Sequence, residues 1–542
     1  MIEPFVQNES SQMFRDLQRC KYLGKVIKAQ RRPPWPTVPT TDLPPKELAD
    51  TLVDTYLRTT ESVYRTLHVP TFRRDYEAIW GINSSPDMAL VIQIKLVMAI
   101  GAAMHDDTFS LRTSAIRWIY EAQTWVSEPN FKHRLNMPFL QVNILLLIAR
   151  EIVGVNGSMT WVAAGQLIRT AVYMGFHRDP MYLPKQTTFV SEMRRRLWNT
   201  ILEIALQTSM ESGGPPLLTP GDFDTQPPGN FDDEQILTED PVPSPEEAFT
   251  QTSLALALRR MFPLRLAIAQ SLNGISAQIS YEETLRMDSE LRTMYKTICQ
   301  PLQKKSENSA SPSQFQICLL DYVVRRYLLA LHTPYFGLSL QEARYAFSRQ
   351  VVIDASVRIR ALLYPSSSIT AAASPSESFS PDRDDLARLA KCGASLFSMI
   401  GTQTCFLIAA ELKAQLQEGD SLGPVPLRRD LLSVLEEAKR WSLQCINAGE
   451  SNCKGYLFIS MISAQITGLS RGLAKEELSE HIAKAGRDAE AQILAVMEEK
   501  VAEVQPVDSS DGMNDVPIEN IPDIMEDWDF MVSLPLVCCQ LF

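Results

Sequence analysis

Residues 159–180 read MTWVAAGQLIRTAVYMGFHRDP, and the fold turns on how this stretch is parsed. Trp161, Ala164, Ile168, Ala171 and Gly175 fall along one side of a helix, while Arg169 lies toward another face. The small residues Ala164, Gly165 and Ala171 let a neighbouring helix approach closely. Gly175 is the natural left-handed terminator and Pro180 prevents continuation, so His177, Arg178 and Asp179 belong to the corner after the helix.

The His-Arg-Asp triplet also opens a protein-kinase catalytic loop. That chemistry requires an Asn five residues beyond the Asp, a glycine-rich loop over the phosphates and a following Asp-Phe-Gly. Pro184 stands where the Asn is needed, and neither of the other motifs occurs in the chain. No catalytic or metal-binding residue is therefore assigned, and the chain is not expected to be an enzyme.

The next segment, TTFVSEMRRRLWNTILEIALQTS at 187–209, starts with Ser or Thr caps and has Glu192 in its first turn. Met193, Leu197, Ile201, Ile204 and Thr208 recur along a buried face. Arg194, Arg195 and Arg196 cannot share a direction, because successive helix residues are about 100° apart. At least one must turn inward to a carboxylate, with Asp179 or the Asp232–Asp233 pair available.

Outward from this centre the pattern stays helical. A cap at Asp42 opens a helix through Leu48, Leu52, Tyr56 and Val63, and further helices are predicted at roughly 88–104, 111–125, 139–153, 249–272, 317–331, 386–412 and 478–501. No alternation suggests a strand, which makes the fold class all-α with long Pro/Gly/Ser-rich loops. The connection at 213–248 is rich in Pro, Gly and Asp, a length that marks either function or disorder. Composition divides the chain into a basic arm and Pro-rich linker (1–42), a helical domain (43–363), a Ser/Pro-rich linker (364–385), a C-terminal helical part (386–502) and an acidic-hydrophobic tail (503–542).

The arm carries Lys25, Lys28, Arg31 and Arg32 ahead of a proline stop, a segment suited to nuclear import or phosphate contact, or simply to a solvated helix face. The tail contains no Lys or Arg and sets Trp528, Phe530 and Met531 among acids. Mutual repulsion keeps such apolar side chains solvated, the logic of a disordered activation segment that folds on a coactivator. A terminal tail that docks on the body is the alternative.

Across 542 residues, 45% are hydrophobic and 21% charged, as in ordinary globular proteins. The net charge of −12 argues against a surface given over to polyanion binding. Nine cysteines are scattered without the Cys-x-x-Cys spacing of zinc sites, and no apolar run is long enough to cross a membrane. A cytosolic or nuclear protein with reduced thiols is expected.

The segments at 159–234, in this order, resemble the fungal-specific transcription factor domain, the helical regulatory region of zinc-cluster factors. The residues that match its pattern are Trp161, Gly165, Arg169, Gly175, His177, Arg178, Asp179, Glu192, Arg194, Arg195, Arg196 and Trp198, followed by Pro215, Pro228, Asn230, Asp232 and Asp233. LHVPTFRRDYEAIW at 67–80 and LALHTPYF at 329–336 extend the likeness to roughly residues 43–350. Asn199, Glu203 and Gly214 depart from it, standing where a Trp, an Asp and an Arg are usual.

The resemblance implies a nuclear regulator of a metabolic or biosynthetic pathway. It implies transcriptional coactivators, a second zinc-cluster factor or a second copy as partners, a small-molecule effector, and DNA reached directly or through a partner. Such factors bind two zinc ions through six N-terminal cysteines, of which this region offers only Cys20. No cofactor is therefore expected in this chain, and direct DNA reading would need a zinc module from an exon upstream. A helical scaffold, adaptor or co-regulator that does not bind DNA is the alternative.

Overall fold

A computed structural model describes residues 12–36, 38–81, 86–128, 135–155, 159–274, 279–303, 311–364, 385–393, 396–418 and 427–503. Trp528, Phe530 and Met531 of the acidic tail lie outside them, as does the 364–385 linker apart from its two end residues. Among the described residues there is no β-strand, and helices carry the fold.

In chain order the helices begin with α1 (Gln12–Gln30), α2 (Lys46–Arg58), the single turn α3 (Glu61–Tyr64), α4 (Val69–Ile79), α5 (Met88–Ala102), α6 (Arg112–Val126) and α7 (Met137–Val153). Then come α8 (Thr160–Tyr173), α9 (Thr188–Ser212), α10 (Ser253–Asn273), α11 (Tyr281–Gln303) and α12 (Gln314–Ser339). The series closes with α13 (Ala346–Leu363), α14 (Asp385–Cys392), α15 (Leu396–Gln417), α16 (Arg429–Asn447), α17 (Lys454–Ser470) and α18 (Lys475–Glu503).

Several expected boundaries move: the helix expected at 386–412 is two, α14 and α15, and the one expected at 317–331 extends over Gln314–Ser339. Asp42 does not cap α2, which begins after Pro45 with that proline extended at φ −49°, ψ 143°. Consecutive prolines exclude the helical region from the residue before each, so the helix cannot start sooner. It also stops at Arg58 rather than running to Val63, and Arg65 turns the chain at a left-handed φ of 48°. In the arginine helix, Thr187 is the cap, accepting from the Val190 N–H at 3.3 Å, which places Glu192 one turn in.

Contacts divide the chain into two compact units. One comprises the described parts of Pro33–Leu331 and Ser374–Phe397. Its centre is formed by α5 and α7, in which every residue from Val91 to Ala102 and most of those from Phe139 to Val153 are buried. The one cation among them, Lys95, is fully buried and donates to the Thr40 carbonyl at 2.7 Å and Thr40 Oγ1 at 3.0 Å, and it also pairs with Glu121. Burial lowers its pKa, with Glu121 opposing. Among the described residues no helix is long and apolar enough to cross a membrane.

The other unit comprises the described parts of Met1–Arg32, His332–Ala373 and Ser398–Phe542. Here α1 lays Met13, Leu17, Cys20, Leu23 and Ile27 against Ile446, Tyr456, Leu457, Met461, Leu478, Ile482, Ile493 and Met497. The basic segment is thus an amphipathic helix with one face buried. Its Lys25, Lys28 and Arg32 face solvent, while Arg31 donates to the Gly449 carbonyl at 2.6 Å. Packing therefore divides the chain elsewhere than composition does, since α1 joins helices more than 400 residues away.

Candidate functional site

The corner after α8 is a Schellman turn. The Gly175 N–H donates to the Val172 carbonyl and the Phe176 N–H to the Ala171 carbonyl, both at 2.9 Å, with Gly175 at φ 75°. A side chain there would strain the backbone. Asp179, fully buried, then caps the short turn Pro180–Tyr182. Its carboxylate accepts from the Met181 and Gln226 N–H groups at 2.9 Å each, and from Arg195 Nε at 3.0 Å and Nη2 at 2.9 Å. Burial pushes this carboxyl up, yet the Arg195 guanidinium and the two amides hold it below the usual carboxylate range.

The three arginines of α9 take three destinations. Arg194 donates to the Gly175 carbonyl at 2.5 Å and covers the Phe176 ring. Arg195 bridges Asp179 and Glu192, the latter at 2.8 Å, and Glu192 also accepts from the Gly229 N–H at 2.7 Å. Arg196 is sealed from solvent and donates to Asp233 Oδ1 at 2.6 Å and to Thr252 Oγ1 at 3.2 Å. One helix turn therefore locks the end of α8, the corner and the long loop.

Asp233 is the hub of the buried network. Besides Arg196 it pairs with Arg65, and its Oδ2 accepts from the Val69 N–H at 2.9 Å. His68 Nε2 lies 2.9 Å from the Asp233 carbonyl and must donate to it, leaving Nδ1 to accept from the Thr71 N–H. Burial alone would raise the Asp233 carboxyl, but Arg65 and Arg196 reverse this and hold it at about 2. Asp232 turns elsewhere, its Oδ1 accepting from the Gln251 N–H at 2.9 Å.

The remaining signature residues support this frame. Arg178 pairs with Asp224 at 3.0 Å, and Asp224 accepts from the Asp179 N–H at 2.7 Å. The His177 ring stands 6.4 Å from that of buried Trp198, which meets Phe223 edge-on at 5.7 Å. Arg169, exposed, overlies Gly165, where a Cβ would come within 3.2 Å of its guanidinium. A Cβ on Gly214 would sit 2.8 Å from the Trp161 ring, so the departure at 214 fits this packing.

Arg65, His68, Asp224, Gln226, Thr252 and the hub role of Asp233 were not singled out from sequence. His68 and Asp233 lay in quoted motifs, but nothing in the spacing distinguishes Asp233 from Asp232. The Lys25, Lys28, Arg31 and Arg32 segment belongs to the other compact unit.

Chemically, the site consists of carboxylates that accept from N–H donors and of arginines held by carboxylates or, for Arg194, by a backbone carbonyl. Asp179 takes four such donors and retains no role for proton abstraction. Among the described residues the fold class is thus an all-helical body braced by interior ion pairs.

Comparison with known proteins narrows this class. Residues 53–319 match the family model of the fungal specific transcription factor domain, and the chain carries that domain. Transcription factor opdR of Penicillium oxalicum is 32% identical over 515 residues, covering 87% of this chain and 62% of its own length. Transcription factor lepE of Aspergillus flavus is 35% identical over 350 residues, 63% of this chain and 42% of that protein. The aspyridones cluster regulator apdR of Emericella nidulans is 30% identical over 353 residues, 62% of this chain and 46% of that one. The chain spans less than two thirds of the length of each relative. The family and these relatives are transcription factors, not enzymes. No solved structure matches the chain.

Proposed function

We propose that the chain is the regulatory body of a nuclear transcriptional regulator that controls a biosynthetic pathway. The observation that carries the reading is the family domain at 53–319, with the ion pairs of Asp179 and Asp233 joining its signature segments. Relatives named as transcription factors, one as a cluster regulator, support the pathway role. In this reading the ion-paired core holds a rigid helical platform, and the acidic tail with Trp528, Phe530 and Met531 recruits a coactivator.

DNA is reached through a partner factor, a second copy or a zinc module outside these residues. Cys20, Cys392, Cys405, Cys445 and Cys453 are buried, and no group of metal-ligating side chains gathers among the described residues. We propose, because the sequence offers only Cys20 where zinc-cluster factors have six cysteines, that this chain holds no zinc of its own. Metal analysis of the purified chain should find none, and a stoichiometric content would overturn that point.

The test of the whole reading is deletion of the gene followed by transcript profiling. Loss of coordinated expression of a set of biosynthetic genes is expected, and an unchanged transcriptome would sink it. Residues 501–542 fused to an unrelated DNA-binding domain should activate a reporter, and substituting Ala at Trp528, Phe530 and Met531 should abolish that activity. A fluorescent fusion of the full chain should enter the nucleus.

A further inference from the structure

The solvent side of α1 is a stripe of cations. Arg15, Arg19, Lys25 and Lys28 are exposed along it, Arg32 follows just past its end, and Tyr22 stands 47% exposed among them. The one acid of the helix, Asp16, is half-buried and accepts from Gln12 at 2.9 Å. Arg19 has a partner in Glu498 of α18, whereas Arg15, Lys25, Lys28 and Arg32 form no ion pair among the described residues. Like charges a turn apart on one helix repel each other, and an anion laid alongside relieves them.

The path of the chain supplies one. Helices α1 and α18 lie side by side and run in the same direction. Met13 packs against Gly486, where a Cβ would come within 2.5 Å of its Cε, and Met497 packs against Gly24, where the corresponding distance is 3.5 Å. From Met497 to its last residue, Glu503, α18 rises about 9 Å, which brings it level with Lys28 and Gln30. The chain therefore leaves the described residues near the end of α1 that carries Lys25, Lys28 and Arg32. Residues 504–542, which follow, hold eight acids between Asp508 and Asp529 and no Lys or Arg.

Reach is no obstacle. From Arg15 to Lys28 the stripe spans about 20 Å, while an extended chain covers up to about 3.3 Å per residue, so residues 508–529 can lie along its whole length. Each exposed ion pair is weak alone. A tether nevertheless holds the acids at an effective concentration on the order of millimolar, and pairs made side by side reinforce one another.

We propose that residues 504–542 dock on the cationic stripe of α1 in the same molecule, their acids pairing with Lys25, Lys28 and Arg32 and their aromatic side chains meeting Tyr22. Another polyanion must then displace this segment before it can use α1. The contact rests on charge and chain path and not on the regulatory reading above.

The test is zero-length carbodiimide cross-linking of the purified full chain, mapped by mass spectrometry. Lys25 or Lys28 should be joined to acids between Asp508 and Asp529 at about 0.01 M salt and not at about 1 M, where the Debye length has fallen from about 30 to about 3 Å. Lys46 and Glu77, an exposed pair at 3.3 Å, provide the positive control. With that control present at low salt, absence of the Lys25 and Lys28 links overturns the proposal. Links confined to a dimeric band also overturn it, because they put the segment of one copy on another. Heparin chromatography gives a second measurement. Neutralising the segment in the full chain with Asp523→Asn, Glu526→Gln, Asp527→Asn and Asp529→Asn should raise the salt needed for elution, and adding Lys25→Gln and Lys28→Gln should cancel most of that gain. An equal gain without the two lysines would mean that net charge alone sets retention, and the docked contact would be refuted.

Discussion

Arg196 and Asp233 meet at 2.6 Å with both side chains sealed from solvent, and Arg65 claims the same carboxylate oxygen. Two buried cations therefore share one carboxylate in a dry site, where the buried Glu61 also acts on Arg65. Removing the Asp233 carboxylate leaves two buried guanidiniums facing each other. Asp233→Ala should lower unfolding free energy by about 3–5 kcal/mol. Urea denaturation would measure it, and a loss below about 1 kcal/mol would mean that water reaches the site.

Acid should weaken the same unit. Asp233 and Asp179 both have folded pKa values below the usual carboxylate range, the first at about 2. Groups depressed on folding contribute stability above their unfolded pKa, about 3.9, and lose it as pH falls through the folded value. These two carboxylates should make stability fall from about pH 4 toward 2. The acid limb in a series of denaturant midpoints should flatten in Asp233→Asn.

Asp179 offers a different contrast. Replacing it with Ala strips a partner from Arg195 and acceptors from the Met181 and Gln226 amides, a loss of about 2–3 kcal/mol. Lower melting temperature and lower cellular abundance are expected together. A variant with wild-type melting but lost function would point instead to chemistry at this corner.

Gly214 is set by its neighbour. Gly214→Ala brings a methyl group to 2.8 Å from the Trp161 ring, and an overpacked contact of this kind costs about 1–3 kcal/mol. Gly214→Arg should be at least as damaging. Coupling to a second change, Trp161→Phe, would be read in a double-mutant cycle, and strict additivity would refute the contact.

The two faces of α1 should behave oppositely. Ile27→Ala opens a hole beside Ile446, Tyr456 and Met497, worth about 2–5 kcal/mol. Lys25→Gln and Lys28→Gln alter exposed positions and should stay within about 0.5 kcal/mol of the wild type. Any transcriptional defect in the lysine variants would then report on contacts with a partner and not on folding.

Much of the site was legible because its local elements obey local rules. Gly175, Pro180 and Thr187 announce a turn, a stop and a cap through backbone preferences that act over a few residues. The corner and the arginine helix could therefore be placed from sequence. Asp42 misled because a capping side chain says nothing about the two prolines that delay the helix behind it.

The partners could not be read the same way. Arg65 reaches Asp233 across 168 positions, and Arg31 reaches Gly449 across 418. No periodicity records which of two adjacent aspartates a loop will turn inward, or which distant helices will cover an amphipathic face.

By itself the sequence determined an all-helical chain, its capped corner and the row of three arginines, since helix period, glycine and proline act through neighbouring residues. Only the tertiary structure decided that Arg194 takes a carbonyl, Arg195 takes Asp179 and Arg196 takes Asp233. Burial makes an unpaired charge expensive, and the path of the long loop settles which charges are paired.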